Sequence, residues 1–211
     1  MEESTTKEKI LKSVRNALIS KTDNPFKNTD FTTRVFNLQE EGPDVEFALK
    51  LNEGGGTFIY CDNERNFTDN LKTLMVQKGW EHLASSSPAL NNLLSTAGID
   101  ARPPESKLGF EVSITSCDFL ISRFGSILVS SKVAERNLFV GANTHLVVAK
   151  SSQVKSEIKE ALSALKIKYS GSLPSQITMI TGAENTTSFT QSLPAGAIGS
   201  KNLFVFMIDD A

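Results

Sequence analysis

The chain has 211 residues, of which 39% are hydrophobic and 22% charged, and its net charge at pH 7 is −2. This composition is typical of a globular protein with a sizeable core and not of a disordered chain. The charge balance lacks the basic excess of a nucleic-acid-binding protein, and no apolar run is long enough for a membrane-spanning helix. The charged N-terminus does not resemble a signal peptide, so a cytoplasmic location is predicted.

The two cysteines, Cys61 and Cys117, lie in separate apolar segments that are strand candidates. Without a secretory signal, we expect both to be buried, reduced thiols. Neither the cysteines nor the two histidines have neighbours at metal-ligand spacing, so we predict no metal site and no cofactor.

Helical spacing of apolar residues over 5–20 predicts a first helix, and Thr5 and Glu8 are placed to form a capping box at its start. This helix is either an amphipathic helix laid on the domain or an arm that grips a partner subunit. The polar stretch that follows contains proline and glycine and has no periodicity, which predicts a wrapping loop. The predicted organisation is therefore an N-terminal helix and loop, 1–42, and an α/β domain, 43–211.

Helical patterns then alternate with strand candidates, which predicts an α/β layer with parallel pairing. The predicted helices are 44–52, 66–78 and 88–98, and the strands are 57–61 and 80–83. Gly54, Gly55 and Gly56 precede the first of these strands. A phosphate-binding loop has the opposite order, with the strand before the glycines, so we interpret these glycines as a helix stop and a tight turn.

Strand candidates in the second half lie closer together, at 112–115, 119–122, 127–130 and 146–149. Short spacing around turns at Ser116 and at Phe124-Gly125 predicts antiparallel or hairpin pairing inside the same sheet. A helix capped by Ser151 or Ser152 and ending near Leu165 is expected next. Strands at 177–181 and 203–208 complete the pattern, with a turn and a short helix predicted over 182–191.

Several motifs of this half occur in the order and spacing of one known family. The run Ile-Thr-Ser-Cys-Asp-Phe over 114–119 is similar to the family's Ile-Thr-Gly-(Ala/Cys)-Asp-Phe, and Gly125 and Ser126 open the next matching strand. Arg136 and His145 have the spacing of the family's Gly-Arg and Pro-Pro-X-His-Ile elements, and residues 199–209 resemble its closing strand. On these residues the chain resembles the LUD domain of the LutC/YkgG family, which is associated with bacterial lactate utilisation.

The resemblance implies an α/β fold with a three-layer mixed β-sheet and flanking helices, like that of ribose-5-phosphate isomerase, glucosamine-phosphate deaminase and the CoA transferases. Proteins of this kind bind anionic or acyl ligands at strand ends, in clefts lined by glycine turns. The resemblance also implies iron–sulfur protein subunits of a lactate oxidation system as partners, and a small carboxylate or phosphate as a ligand.

The chain departs from the family at polar positions. Where the family has Ala-Glu-Thr-Gly, this chain has Ser122, Arg123, Phe124 and Gly125, so a cationic guanidinium replaces a carboxylate. The histidine of the family's Gly-Val-His-Gly-Pro is absent from 196–200, and other substitutions fall within 182–190. The backbone glycines remain, and turns of this kind can hold an anion on exposed N–H groups.

We therefore predict no catalytic residue and a set of candidate ligand-binding residues. Arg123 could bind a carboxylate or phosphate, or be a strand-end arginine whose head group reaches solvent. His145 is either a site residue or a neutral histidine satisfied by a backbone carbonyl. The full set is Arg123, Gly125, Ser126, Arg136, His145, Gly182, Thr186 and Gly196.

Three functional hypotheses follow. The first is a LutC-type accessory or regulatory subunit of an iron–sulfur-dependent L-lactate oxidation system, with an altered small-anion cleft. The second is an enzyme of the transferase and isomerase superfamily that acts on an acyl or phosphorylated ligand. The third is a stand-alone module that binds a carboxylate metabolite.

Overall fold

The computed structural model describes residues 5–19, 30, 42–104, 110–170, 172–183 and 199–210. The chain divides into two compact units, Met1–Leu38 and Gln39–Ala211. The first unit contains helix α1 (Thr6–Ile19). Its predicted capping box is present, because the Thr5 N–H donates to Glu8 Oε2 (2.9 Å) and the Glu8 N–H donates to Thr5 Oγ1 (3.4 Å). Most of the predicted wrapping loop lies outside the described residues.

The second unit alternates helices and strands. Its helices are α2 (Pro43–Glu53), α3 (Glu64–Lys78), α4 (Pro88–Thr96), α5 (Arg136–Val140) and α6 (Ile158–Lys168). Its strands are β1 (Thr57–Cys61), β2 (Leu83–Ala84), β3 (Ala101–Arg102), β4 (Phe110–Ser116), β5 (Phe119–Ile121), β6 (Ser126–Ser130), β7 (Ala142–Lys150), β8 (Val154–Lys155), β9 (Ile177–Thr181) and β10 (Asn202–Ile208). Within the described part of the chain, no helix is long and apolar enough to cross a membrane.

A six-stranded parallel sheet in the order β1-β10-β7-β4-β2-β3 forms the centre of this unit. Strand β10 is apolar on both faces, as expected for a strand with helices or another layer on each side. Phe206 and Ile208 face a core formed with α3 and α4, whereas Val205 and Met207 face a second core. The predicted α/β class with flanking helices is confirmed.

A second sheet of four strands, in the order β8-β5-β6-β9, covers the other face. The pair β5–β6 is antiparallel, as predicted, and β6 also pairs antiparallel with β9. The strands β4 and β7 lie in the other sheet and pair in parallel. The prediction of one sheet with antiparallel pairing throughout is therefore wrong, because short spacing in sequence does not determine which strands become neighbours. Residues such as Leu120 and Ile127 of this sheet share a core with Val147 and Val205 of the first.

The helix expected to begin at Ser151 or Ser152 begins instead at Ile158. A 3₁₀ turn (Ser151–Gln153) and strand β8 occupy the intervening residues. The apolar Val154, which falls within the predicted helix, pairs with Leu120 in the second sheet. Sheet pairing at a distance in sequence therefore overrides a local helical pattern.

Helix α2 is held against the second sheet through its backbone. Gly125 has a φ of +58°, and a Cβ added there would lie 2.3 Å from the backbone nitrogen of Leu51 in α2. A Cβ on Gly182 (φ +73°) would lie 2.3 Å from the carbonyl oxygen of Gly54, which also accepts a hydrogen bond from the Ala183 N–H (3.1 Å). Both contacts require the absence of a side chain.

We predict that Gly125→Ala destabilises the protein more than Gly79→Ala does. Each change places a side chain at a positive φ, which costs about 1–2 kcal/mol. At Gly79 (φ +71°) the added Cβ meets nothing within 4 Å, whereas at Gly125 it also meets the α2 backbone. Urea unfolding of the two variants measures the difference. Equal losses of unfolding free energy would contradict the close packing of α2.

Candidate functional site

The predicted site residues fall in three separate regions of the fold. Gly125, Ser126 and Gly182 lie where the second sheet meets α2. Arg136 begins α5, beyond the opposite end of β6. His145 lies within β7 of the six-stranded sheet. Thr186 and Gly196 lie outside the described residues.

The hydroxyls near α2 are paired within the protein. Ser126 is fully buried, and its Oγ lies 2.8 Å from Thr181 Oγ1 on the facing strand. Ser122, also buried, donates from Oγ to Glu46 Oε2 of α2 (2.7 Å). The Gly125 N–H donates to the Ser122 carbonyl (3.2 Å). The Ser122–Glu46 contact joins the turn Ser122–Gly125 to α2. The Gly125 N–H is already bonded within the turn, so it is not free to bind an anion.

Arg123 already has an anionic partner in the protein. Its Nη1 pairs with Glu157 Oε1, at the start of α6, and only 24% of the arginine side chain is exposed. Its guanidinium also lies 5.6 Å from the ring centroid of Phe124, a distance at which a cation and an aromatic face attract. Arg123 therefore connects the 3₁₀ turn Ser122–Phe124 to α6.

His145 is buried within the protein, with 1% of its surface exposed. Its Nε2 lies 2.8 Å from Thr115 Oγ1, and its ring lies 6.3 Å from that of Phe139 in α5. The partner is thus a side-chain hydroxyl rather than the backbone carbonyl that was one expectation. Burial lowers the pKa of His145 to about 3, so the ring is neutral at physiological pH.

A Ser126–His145 pair would require the two side chains to meet, and each has a different partner. Ser126 contacts Thr181, and His145 contacts Thr115. No nucleophile–base hydrogen bond joins them, so these residues lack the geometry of nucleophilic catalysis.

Arg136 is exposed and lines a pocket of about 390 Å³. The walls come from the end of β6, the segment 134–139 and the start of β9. Val129, Ala134 and Phe139 supply apolar surface, and Glu135 and Asn137 supply polar groups beside Arg136. Arg136 is thus the one predicted site residue among the described ones that lines this open concave surface.

Asp118 has a structural role that sequence reasoning missed. Its carboxylate is buried and accepts from Lys168 Nζ (2.7 Å), the Tyr169 hydroxyl (2.7 Å) and the Ser130 N–H (2.8 Å). Burial acts to lower the pKa of Lys168, but the hydrogen bond and charge of Asp118 outweigh it and the pKa is raised. The sequence contains one signal of this role, an acidic residue within the apolar run 117–121. A carboxylate buried in such a run needs hydrogen-bond or charge partners.

Both cysteines are free and buried, as predicted. Burial, with a smaller contribution from the charge of Asp118, raises the pKa of Cys117 to about 12. Burial also raises the pKa of Cys61. The thiolate is the reactive form, and a raised pKa keeps both cysteines in the thiol form. Neither cysteine is therefore activated as a nucleophile.

We predict that His145 makes stability depend on pH. The folded pKa is about 3 and the ordinary value is 6.5, so below that value the unfolded chain takes up a proton that the folded chain does not. Stability therefore falls as the pH drops. Between about pH 7 and pH 5 the wild type should lose about 2 kcal/mol more than His145→Gln, in which this titration is absent.

Denaturant unfolding of both proteins at each pH gives this difference, and the titration of carboxylates shared by both proteins cancels. Parallel pH profiles for the wild type and His145→Gln would contradict a buried, neutral histidine.

Known proteins resemble this chain in sequence and in fold. Residues 105–208, just under half of the chain, match the family model of the LUD domain. The fold is similar to the crystal structure of a DUF162 family protein from Deinococcus radiodurans, with a TM-score of 0.59 and 17% sequence identity over 79% of this chain and 96% of that one. At this identity the likeness concerns the fold alone, and no curated protein matches significantly. Residues 105–208 of this chain therefore carry a LUD domain.

Proposed function

We propose that this protein is a LutC-type accessory or regulatory subunit of an iron–sulfur-dependent L-lactate oxidation system, and that it acts in the cytoplasm. The observation that carries the proposal is the LUD-domain match over residues 105–208. The family resemblance of the sequence links such domains to lactate utilisation.

The contacts of the candidate polar residues support a non-catalytic role. Arg123 pairs with Glu157, Ser126 with Thr181, and His145 with Thr115. A catalytic acid, base or nucleophile must reach a substrate, and these three groups have internal partners instead. The protein then contributes through its surface to a complex.

The proposal assigns the iron–sulfur clusters to partner proteins. Such clusters are usually held by four cysteine thiolates, and this chain has two cysteines, both of them buried. Within the described ranges, no group of three or more His, Cys, Asp and Glu side chains is placed to hold a metal ion.

A second candidate is a stand-alone module that binds a small metabolite. The pocket beside Arg136 favours it, because concave, mostly apolar sites with a few polar groups are where small ligands bind. The two candidates are compatible, since a regulatory subunit can also sense a ligand. The enzyme hypothesis has less support, because His145 and Arg123 face partners inside the protein.

Affinity purification tests the subunit proposal. The tagged protein is purified from its source organism grown on L-lactate, and co-purifying proteins are identified and assayed for iron and sulfide. We expect iron–sulfur proteins to co-purify, and we expect deletion of the chain to impair growth on L-lactate. If no iron–sulfur protein co-purifies and the deletion strain grows normally, the proposal is wrong.

Two variants make the result specific. Arg123→Ala removes an internal ion pair, so it should leave both association and growth on L-lactate intact. Gly125→Val inserts a large side chain against the α2 backbone and should abolish both by disrupting the fold. Loss of growth with Arg123→Ala, in a protein of normal stability, would instead support the enzyme hypothesis.

A further inference from the structure

The pocket beside α5 combines an apolar interior with charges of both signs at its mouth. Val129, Ala134 and Phe139 line it, and all three are at least nine-tenths buried. Its volume of about 390 Å³ lies in the lower part of the range of small-molecule sites. The pocket is therefore large enough for an apolar group of several carbons.

The two charged residues of the pocket are neighbours in the chain. Glu135 and Arg136 are both exposed and both line the pocket. Neither forms an ion pair with another described residue. A ligand at this mouth therefore meets one carboxylate and one guanidinium, and both prefer a partner of opposite charge.

Asn137, the next residue in the chain, also lines this pocket. Asn137 Oδ1 is buried, and it has no hydrogen-bond partner among the described residues. A buried acceptor without a donor destabilises the folded protein, and native structures contain few such groups. A ligand that donates an N–H to this oxygen would remove this destabilisation.

We propose that this pocket binds an α-amino acid with an apolar side chain. The ligand carboxylate pairs with Arg136, and the ligand ammonium pairs with Glu135 and donates to Asn137 Oδ1. The side chain lies against Val129, Ala134 and Phe139. A ligand with only a carboxylate leaves Glu135 and Asn137 without partners, and a ligand with only an amine leaves Arg136 without one.

This inference does not depend on the proposed function. It rests on the pocket alone, and it holds whether or not the protein assembles with iron–sulfur subunits. A site of this kind would let the protein respond to the level of a free amino acid.

Titration calorimetry with L-leucine and three analogues tests the proposal. The analogues are 2-hydroxyisocaproate, in which a hydroxyl replaces the ammonium, isocaproate, which lacks it, and isopentylamine, which lacks the carboxylate. We expect saturable binding of L-leucine and weaker binding of all three analogues, by about tenfold or more for each lost charge pair. Similar results with L-methionine and L-phenylalanine, and weak binding of L-glutamate, would define the apolar side-chain preference.

Variants identify the contacts. Glu135→Gln should reduce the preference for L-leucine over 2-hydroxyisocaproate, whereas Arg136→Gln should reduce the preference for L-leucine over isopentylamine. Asn137→Leu removes the unpaired acceptor, so it should weaken L-leucine binding while the melting temperature stays the same or rises. Lys132→Gln, an exposed residue outside the pocket lining, is the matched control and should bind as the wild type does.

Two results would overturn the proposal. One is the absence of saturable binding of L-leucine, L-methionine and L-phenylalanine at millimolar concentrations to a folded wild-type protein. The other is equal affinity for L-leucine and 2-hydroxyisocaproate, because it would show that Glu135 and Asn137 do not hold an ammonium group.

Discussion

The C-terminal part of α2 lies so close to the second sheet that neither Gly125 nor Gly182 has room for a Cβ. Much of the described structure depends on this contact. It places Phe47 and Leu51 of α2 in the core between the two sheets. It also brings Glu46 to the hydroxyl of Ser122. The glycine turns at Gly125 and Gly182 therefore serve to bind a helix of the same chain.

This packing changes how the candidate site is interpreted. Glycine turns can hold an anion when their N–H groups are exposed, but here the N–H groups of Gly125 and Ala183 donate to carbonyls of the protein. The side chains beside these turns are likewise paired internally. The open surface lies elsewhere, in the pocket between β6, α5 and β9. Two exposed charged residues line it together with Asn137, whose buried Oδ1 has no hydrogen-bond partner among the described residues. Scaffold and candidate binding surface thus occupy different ends of the second sheet.

The sequence predicts local elements well and long-range placement poorly. Strand β1 and the capping box at Thr5 were predicted correctly, because apolar periodicity and cap spacing are local signals. The second sheet, the pairing of β8 with β5 and the contact of Gly182 with Gly54 join residues far apart in sequence, so no local pattern contains them. For the same reason the sequence identified Arg136 as a candidate but could not show that Val129 and Thr178 line a pocket with it. The ligand-binding roles predicted for Thr186 and Gly196 stay predictions, because both residues lie outside the described part of the chain.

Native-state hydrogen exchange at Ala183 tests the central contact most directly. The amide of Ala183 lies just beyond β9, and in the folded protein it donates to the carbonyl of Gly54 at the end of α2. If α2 is held by its backbone against the second sheet, this amide should be protected to the same degree as amides of the β6–β9 pair. Exchange at the rate of a free, solvent-exposed amide, in a protein whose β6–β9 amides remain protected, would contradict the account.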